Sequence, residues 1–279
     1  MQRQQLRKNS KLLRPSSDVT VSCDGTLQRR GFVSKNGVAT VLSVNPGGAP
    51  KLGKATTQLK VTLITQALLV RWNHTGSSGA MESHGILQTF RRSQMYGSNY
   101  TGYLGDGDSK SYKIVADADP PIYPGVKTIE KLECCGHVQK RMGRRLMDLK
   151  DSNKVKVFEE DGKHYKGMGG VKRLTQATIL RIQGHYGGAI RNNTNNLLQM
   201  KKAIWAIWKH RCGDHSDCGH WCPKEQIISV ANKKKTPQNI TDAMKPIFEE
   251  LTSVARLQKC LHGGTQNASK SFHNLICKR

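Results

Sequence analysis

The sequence predicts a mixed α/β core that carries a helical insertion. Three observations point to this fold class. The first segments are β-rich and separated by turn signals, strand and helix patterns then alternate, and the last part consists of helical patterns. A length of 279 residues allows one large domain or two small ones, each with a hydrophobic core.

The opening segments predict an antiparallel meander. Three of them have strand patterns: 18–23, 31–33 and 37–44. The first ends on Asp24-Gly25, which indicates a turn, and a second turn is expected at Ser34–Asn36. Residues 54–72 are β-branched and apolar, yet they have no readable period, so no element is assigned to them.

Strand and helix patterns alternate in the middle of the chain. The predicted elements are a helix at 80–95, a strand at 100–104, a helix at 109–116 after an N-capping Asp108, a strand at 128–134 and a basic amphipathic helix at 136–149. Residues 151–170 are charged and glycine-rich, which indicates a linker or a hairpin. Further helices are expected at 175–186, 197–211, 242–257 and from about residue 266 to the end.

These patterns divide the chain into four segments. They are a basic disordered tail (1–17), the first part of the core (18–150), a mostly helical insertion with a potential zinc site (151–258) and a final core helix (259–279). The tail lacks the apolar stretch of a signal peptide. No run approaches the ~18 apolar residues that would suggest a membrane span.

The charge balance indicates a polyanionic partner. The chain has 45 Lys and Arg against 20 Asp and Glu, a net charge of +25. Nucleic acid is favoured over a secreted cationic function, because neutralised phosphates release condensed counterions. One basic cluster, on the helix at 136–149, is expected to contact DNA phosphates rather than form a merely solvated face: Lys140, Arg141, Arg144 and Arg145.

Asp106 and Asp108 lie in the stretch LGDGDSKSY, directly after a predicted strand. A calcium loop would need an oxygen donor and a glycine where Lys110 and Ser111 stand, and a phosphate loop would not present two carboxylates to an anion. Two interpretations remain: a polar turn with Asp108 as a helix cap, or a strand-end Asp106 that holds Mg²⁺. Asp24 is a second strand-end carboxylate of this kind.

Several cysteines and histidines are candidate zinc ligands. Cys134 and His137 form a Cys-x-x-His pair, which is half of a zinc site or a buried cysteine beside a helix-start histidine. The run HRCGDHSDCGHWC (210–222) is a stronger signal, because it contains six soft donors in thirteen residues. A loop with reactive thiols is the alternative. The ligands selected from this run are Cys212, His215, Cys218 and Cys222.

Seven stretches, taken in order, cover most of the chain. They are VSCDGTLQRRGFVSKNGVATVLSV (21–44), NHTGSSGAME (73–82), YTGYLGDGDSKSYKIV (100–115), KLECCGHVQKRMGRRL (131–146), HYGGAIRNN (185–193), MKKAIWAIWKH (200–210) and KCLHGGTQNASKSFHN (259–274). Together they resemble the Mutator-like DNA transposases, in the form found as a mobile-element domain in arthropods and other animals. Because the stretches cover most of the chain, the resemblance is specific.

The resemblance implies an RNase H-like fold with a helical insertion and a Mg²⁺-dependent cut-and-paste reaction on double-stranded DNA at terminal inverted repeats. By the family pattern, Asp24 is the first catalytic acid and Asp106 the second, with Asp108 as the alternative to Asp106. The family's Cys-x-x-His falls on Cys134 and His137. The resemblance also implies a nuclear protein that binds DNA and does not bind membranes. It is compatible with a homo-oligomer.

Two departures from the family pattern predict a loss of catalysis. The final helix of the family has the form TQNA(N/S)ESFN with Glu as the third metal ligand, but Lys270 stands at that position. An ammonium group beside divalent cations adds repulsion to the loss of a ligand. Residues 47–72 also lack the cysteines that the family carries there, as a shifted reading frame would give.

The sequence therefore predicts a transposase-derived protein that binds DNA without strand-transfer activity. The alternatives are a domesticated zinc- and DNA-binding protein without catalysis, and a non-functional transposon relic.

Overall fold

The computed structural model describes residues 17–27, 36–44, 66–71, 77–106, 110–125, 128–160, 162–219, 221–222 and 235–277. In the described part of the chain it is a mixed α/β structure, as the sequence predicts, with seven strands and eight α-helices. The chain divides into two compact units, Met1–Cys134 with Gly264–Arg279, and Cys135–Gly263. The predicted tail, apart from Ser17, lies outside the described residues.

The first unit contains a five-stranded mixed sheet of order β3-β2-β1-β4-β5. Its strands are β1 (Ser17–Leu27), β2 (Asn36–Ser43), β3 (Gln66–Arg71), β4 (Ser98–Gly105) and β5 (Glu130–Glu133). β1, β2 and β3 pair in antiparallel fashion, whereas β4 is parallel to both β1 and β5. β3 lies in the segment to which the sequence assigned no element.

The predicted turn at Asp24-Gly25 is wrong. β1 continues to Leu27, and Asp24 pairs with Thr40 of β2 while Gly25 pairs with Ala39. Pairing with a neighbouring strand overrides the local turn preference of Asp-Gly, because ladder hydrogen bonds are available along the whole segment. The predicted strand at 31–33 lies outside the described residues, as does the Ser34–Asn36 turn except for Asn36, which begins β2.

The helices agree with the predicted ones to within a few residues, except that the helix predicted at 175–186 continues to Asn192 and the one predicted at 242–257 is divided. They are α1 (Ser78–Arg92), α2 (Lys110–Ala116), α3 (Cys135–Ser152), α4 (Gln176–Asn192), α5 (Leu197–Cys212), α6 (Gln238–Leu251), α7 (Val254–Gln258) and α8 (Asn267–Cys277). The predicted helix at 242–257 is two helices, divided at Thr252 and Ser253; the Thr252 hydroxyl donates to the Phe248 carbonyl at the end of α6. No helix in the described part is both long and apolar enough to cross a membrane.

Side chains of β1 alternate between two helical layers within the first unit. Val21 and Cys23 are buried in a core with Ile86 and Phe90 of α1. Ser22, which points the other way, has its Oγ 2.9 Å from Ser269 Oγ of α8. Since successive side chains of a strand point to opposite faces, α1 and α8 cover opposite faces of β1.

The second unit is mainly helical. Its core is formed by α3, α4, α5 and α6, which bury residues such as Met142, Ile182, Ile204 and Phe248. The segment 151–170 contains a hairpin of β6 (Val157–Glu160) and β7 (Lys163–Lys166), one of the two structures predicted for it. The sequence places the helical insertion at 151–258, whereas the second unit comprises Cys135–Gly263. The main difference is helix α3, which belongs to the second unit.

Candidate functional site

Asp24 on β1 and Asp106, directly after β4, occupy matching positions relative to the parallel pairing of these two strands. β1 and β4 are in parallel register with Ser22 opposite Leu104, and each aspartate follows its member of that pair by two residues. Neighbouring strands are about 4.8 Å apart, so the register brings the backbones of the two predicted acids side by side. Asp24 has a side chain 21% exposed, and Asp106, directly after β4, is exposed.

Glu82 of α1 is a third carboxylate at this place, and the sequence analysis did not select it. Burial raises the pKa of Glu82, and the negative charges of Asp24 and Asp106 raise this pKa further. The charges of both aspartates therefore act on Glu82. Glu82 is the acidic residue of the stretch NHTGSSGAME, but no local pattern shows that α1 packs against β1 there.

Gly25 provides the space for the Glu82 side chain. A Cβ atom on Gly25 would lie 2.2 Å from Glu82 Cγ and 2.9 Å from Glu82 Cβ. Contacts this short cannot be relieved by moving only the end of the side chain. A glycine next to the first acid is therefore part of the arrangement of the three carboxylates.

Replacing Gly25 with alanine is expected to lower the free energy of unfolding by about 1–3 kcal/mol, because the new methyl group overlaps Glu82. Urea unfolding of both proteins measures the change. The matched control is Gly184→Ala in α4, where a Cβ meets nothing within 4 Å and alanine is expected to be neutral or stabilising. A Gly25→Ala protein as stable as the natural one would contradict the packing of Glu82 on Gly25.

One side of helix α8 and the residue before it contact β1. Gln266 precedes α8 and donates its side-chain amide to a backbone carbonyl of β1, and Ser269 contacts Ser22. Lys270 is half-buried, four residues after Gln266 and next to Ser269, so it lies beside these contacts. The position predicted for the lost acid is thus on the helix that contacts the strand of Asp24.

His273 of α8 contacts Asp24 directly. His273 Nδ1 is 3.5 Å from Asp24 Oδ2, and its Nε2 is 2.8 Å from Thr40 Oγ1. Burial lowers the pKa of His273, and the charge of Asp24 opposes this shift. The imidazole is therefore mostly neutral at pH 7 and holds Asp24 through a polar contact.

The remaining predicted ligands of this region are placed separately. Asp108 lies outside the described residues. Cys134 is buried at the end of the first unit, where its Sγ accepts the backbone N–H of Gln266 at 3.4 Å. His137 is half-buried on α3 of the second unit. Among the described residues, neither belongs to a converging group of three or more metal ligands.

The His/Cys run does form such a group, in the second unit. His210, His215, Cys218 and Cys222 have ligand atoms that all lie within 4.8 Å of one another. Cys222 is buried and the other three are half-buried. Three of the four residues were selected from the sequence, and His220 lies outside the described residues.

Cys212 is not a member of this group; His210 takes its place. Both residues are on α5, and positions two apart on a helix point to nearly opposite sides. The Cys212 thiol has a hydrogen bond with Thr241, and burial raises the pKa of this thiol more than that hydrogen bond lowers it. The ligand set selected from the sequence and the observed group therefore differ in one residue.

Helix α3 exposes most of its basic cluster. Val138, Met142 and Leu146 are buried, whereas the predicted DNA-binding residues are exposed or half-buried: Lys140, Arg141, Arg144 and Arg145. Arg144 pairs with Asp148 at 3.0 Å, and Arg145 pairs with Glu250 at 3.1 Å. Such solvent-exposed pairs are weak, so a phosphate could replace either acidic partner.

A model of the Mutator-like transposase family matches residues 2–222. The chain belongs to the Mutator-like transposase family. The matched range includes Asp24, Glu82, Asp106 and the His/Cys group, whereas Lys270 lies beyond it. Neither the curated proteins nor the solved structures contain a match to the chain. Membership in a transposase family implies a DNA partner and suggests a divalent metal ion and action in the nucleus.

Proposed function

We propose that this Mutator-like transposase chain binds double-stranded DNA in the nucleus, and that it no longer cuts DNA. The observation that carries the proposal is the position of Asp24 and Asp106, each two residues after the paired residues Ser22 and Leu104 of two parallel strands, in a chain of a transposase family. An antiparallel meander extended by parallel strands supports an RNase H-like core. We infer that the second unit is the helical insertion, and that the target is a terminal inverted repeat. A homo-oligomer is compatible with this function.

The carboxylates suit Mg²⁺, which prefers hard oxygen donors. Asp24 and Asp106 would hold the ion, which when bound would stabilise the charge on the entering and leaving oxygens of a phosphodiester. Among the described residues, these two aspartates and Glu82 do not form a converging group of three metal ligands.

Lys270 does not fit a site for divalent cations. Its ammonium group adds positive charge on the helix that contacts the strand of Asp24, and charges of equal sign repel strongly at short range in a cleft. The nearby His273 cannot offset this charge, because an imidazole is either neutral or positive. We infer that DNA binding is retained and that cleavage is lost.

Binding to an inverted-repeat duplex is expected to weaken steeply with salt, because each phosphate contact releases a counterion. Replacing Lys140 with glutamine should weaken binding to all duplex sequences alike and lower the slope of log K against log salt by about 1. Fluorescence anisotropy over a range of salt concentrations measures both effects. The matched control is Lys201→Gln, an exposed lysine on α5. Equal losses in the two variants would contradict a contact surface centred on α3.

The alternative function is a domesticated zinc- and DNA-binding protein without catalysis. The converging His/Cys group favours it, because that group does not depend on the carboxylates. Under this alternative, duplex binding survives Asp24→Ala, and no single substitution at Lys270 produces cleavage. A non-functional relic, by contrast, would neither bind the duplex nor unfold cooperatively.

A further inference from the structure

We propose that His210, His215, Cys218 and Cys222 bind one zinc ion in a closed tetrahedral site that stabilises the second unit. The inference does not depend on DNA binding or on the carboxylates of the first unit. Cys212, which the sequence predicts as a ligand, is not part of this site.

The distances between the ligand atoms fit zinc. With Zn–S near 2.3 Å and Zn–N near 2.0–2.1 Å, a tetrahedral ion separates a nitrogen and a sulfur ligand by about 3.6 Å. The Nδ1 atom of His210 is 3.3 Å from Cys218 Sγ and 3.6 Å from Cys222 Sγ. The Nδ1 atom of His215 is 3.7 Å and 3.5 Å from the same two sulfurs. All four nitrogen–sulfur pairs are therefore close to the distance that one central ion would impose.

Hydrogen bonds alone do not explain this arrangement. Each Nδ1 is near both sulfurs, but an imidazole nitrogen has one proton or one lone pair and can make one good hydrogen bond. The rings of His210 and His215 are nearly perpendicular, at 88°, with centroids 4.6 Å apart, so they are not stacked on each other. Two nitrogens and two sulfurs that face a common centre are the ligands of a Cys₂His₂ zinc site.

The backbone brings the four residues together by three successive turns. Gly213 ends α5 with a positive φ of 93°, and its N–H bonds to the carbonyls of His210 and Lys209. The Cys218 N–H then bonds to the His215 carbonyl, and the Cys222 N–H to that of Gly219. The four ligands are five, three and four residues apart, and the turns between them bring the chain back to the last turn of α5.

Neighbouring side chains support the same loop. The Trp221 ring lies 5.0 Å from the His210 ring and 4.5 Å from the His185 ring, measured between centroids. Asp217 pairs with Lys209 and Lys202 of α5. With four protein ligands the coordination is complete, which leaves no open position for a substrate, so the ion has a structural role.

The test is metal analysis of the full chain, purified under reducing conditions and dialysed against Zn²⁺. We expect one zinc per chain, and after exchange with Co²⁺ an absorption spectrum with charge-transfer bands from two thiolates. Cys218→Ser should weaken metal affinity at least about 100-fold, since even outer-shell substitutions cost 10–100-fold. The matched control, Cys212→Ser, removes a thiol of the same helix end and should leave the affinity unchanged.

A second variant keeps the test valid if Cys218→Ser does not fold. His215→Cys retains four ligands, so it should bind one Co²⁺ with the stronger charge-transfer absorption of three thiolates. A natural chain that binds no zinc under these conditions would overturn the proposal. So would a loss of metal in Cys212→Ser, or a Co²⁺ spectrum that is the same in His215→Cys and the natural chain.

Discussion

Replacing Lys270 with glutamate is expected to produce Mg²⁺-dependent nicking of an inverted-repeat duplex at least about 100-fold above that of the natural chain. Removing one charge-stabilising group from an active site typically lowers the rate by about 100-fold or more, and restoring one is expected to raise it by a similar factor. Lys270 lies beside Ser269 and three residues before His273, and these two residues contact β1. A glutamate at this place would remove a repulsive charge and add an oxygen donor near Asp24. Cleavage of a labelled duplex with and without Mg²⁺ measures the result.

Two control proteins separate repulsion from ligation at this position. Lys270→Gln removes the positive charge without adding a carboxylate, so it should bind duplex DNA but gain little cleavage. The double variant Lys270→Glu with Asp24→Asn should lose whatever activity the single variant gains, because it lacks the first acid. A folded Lys270→Glu protein that binds the duplex and does not cut it would contradict the catalytic interpretation of these carboxylates.

Replacing Phe248 with alanine is expected to cost about 3–5 kcal/mol of the free energy of unfolding, the usual range for a large aromatic ring in a packed core. The Phe248 side chain is fully buried, with its ring centroid 6.3 Å from that of Trp205. A loss of this size is a large fraction of the 5–15 kcal/mol that holds a typical domain together. Urea unfolding followed by tryptophan fluorescence is the measurement, because Trp205 and Trp208 are both packed against this core.

The matched control for Phe248 is Leu198→Ala on α5. Leu198 is 75% exposed, so its truncation removes little buried surface and should change the stability by no more than about 0.5 kcal/mol. Similar losses in the two variants would mean that Phe248 is not part of a well-packed core. A small loss for Phe248→Ala alone would mean that neighbouring helices collapse into the cavity.

Helices with a clear apolar period were predicted well from the sequence. The segments at 175–186 and 197–211 correspond to α4 and α5, because their buried residues recur at helical spacing. The strands at 37–44 and 100–104 were also recognised from local composition. In these segments local preference and tertiary structure agree.

The errors arose where distant parts of the chain decide the structure. Asp24-Gly25 is a turn by local preference, but pairing with β2 keeps it in a strand. Glu82 is near Asp24 because a helix more than fifty residues further along the chain packs on β1, which no local pattern shows. Cys212 was selected in place of His210, although a helix that continues to Cys212 points the two residues in opposite directions.

The contacts between α8 and β1 also determine when the first unit can fold during synthesis. Ser22 and Ser269 are separated by 247 positions in sequence, so the ribosome must translate nearly the whole chain before this face of the sheet is covered. At about 5–20 residues per second, that delay lasts on the order of ten seconds or more. Residues 135–263 are contiguous and need not wait for α8. The order of synthesis therefore favours the helical unit as the first to fold.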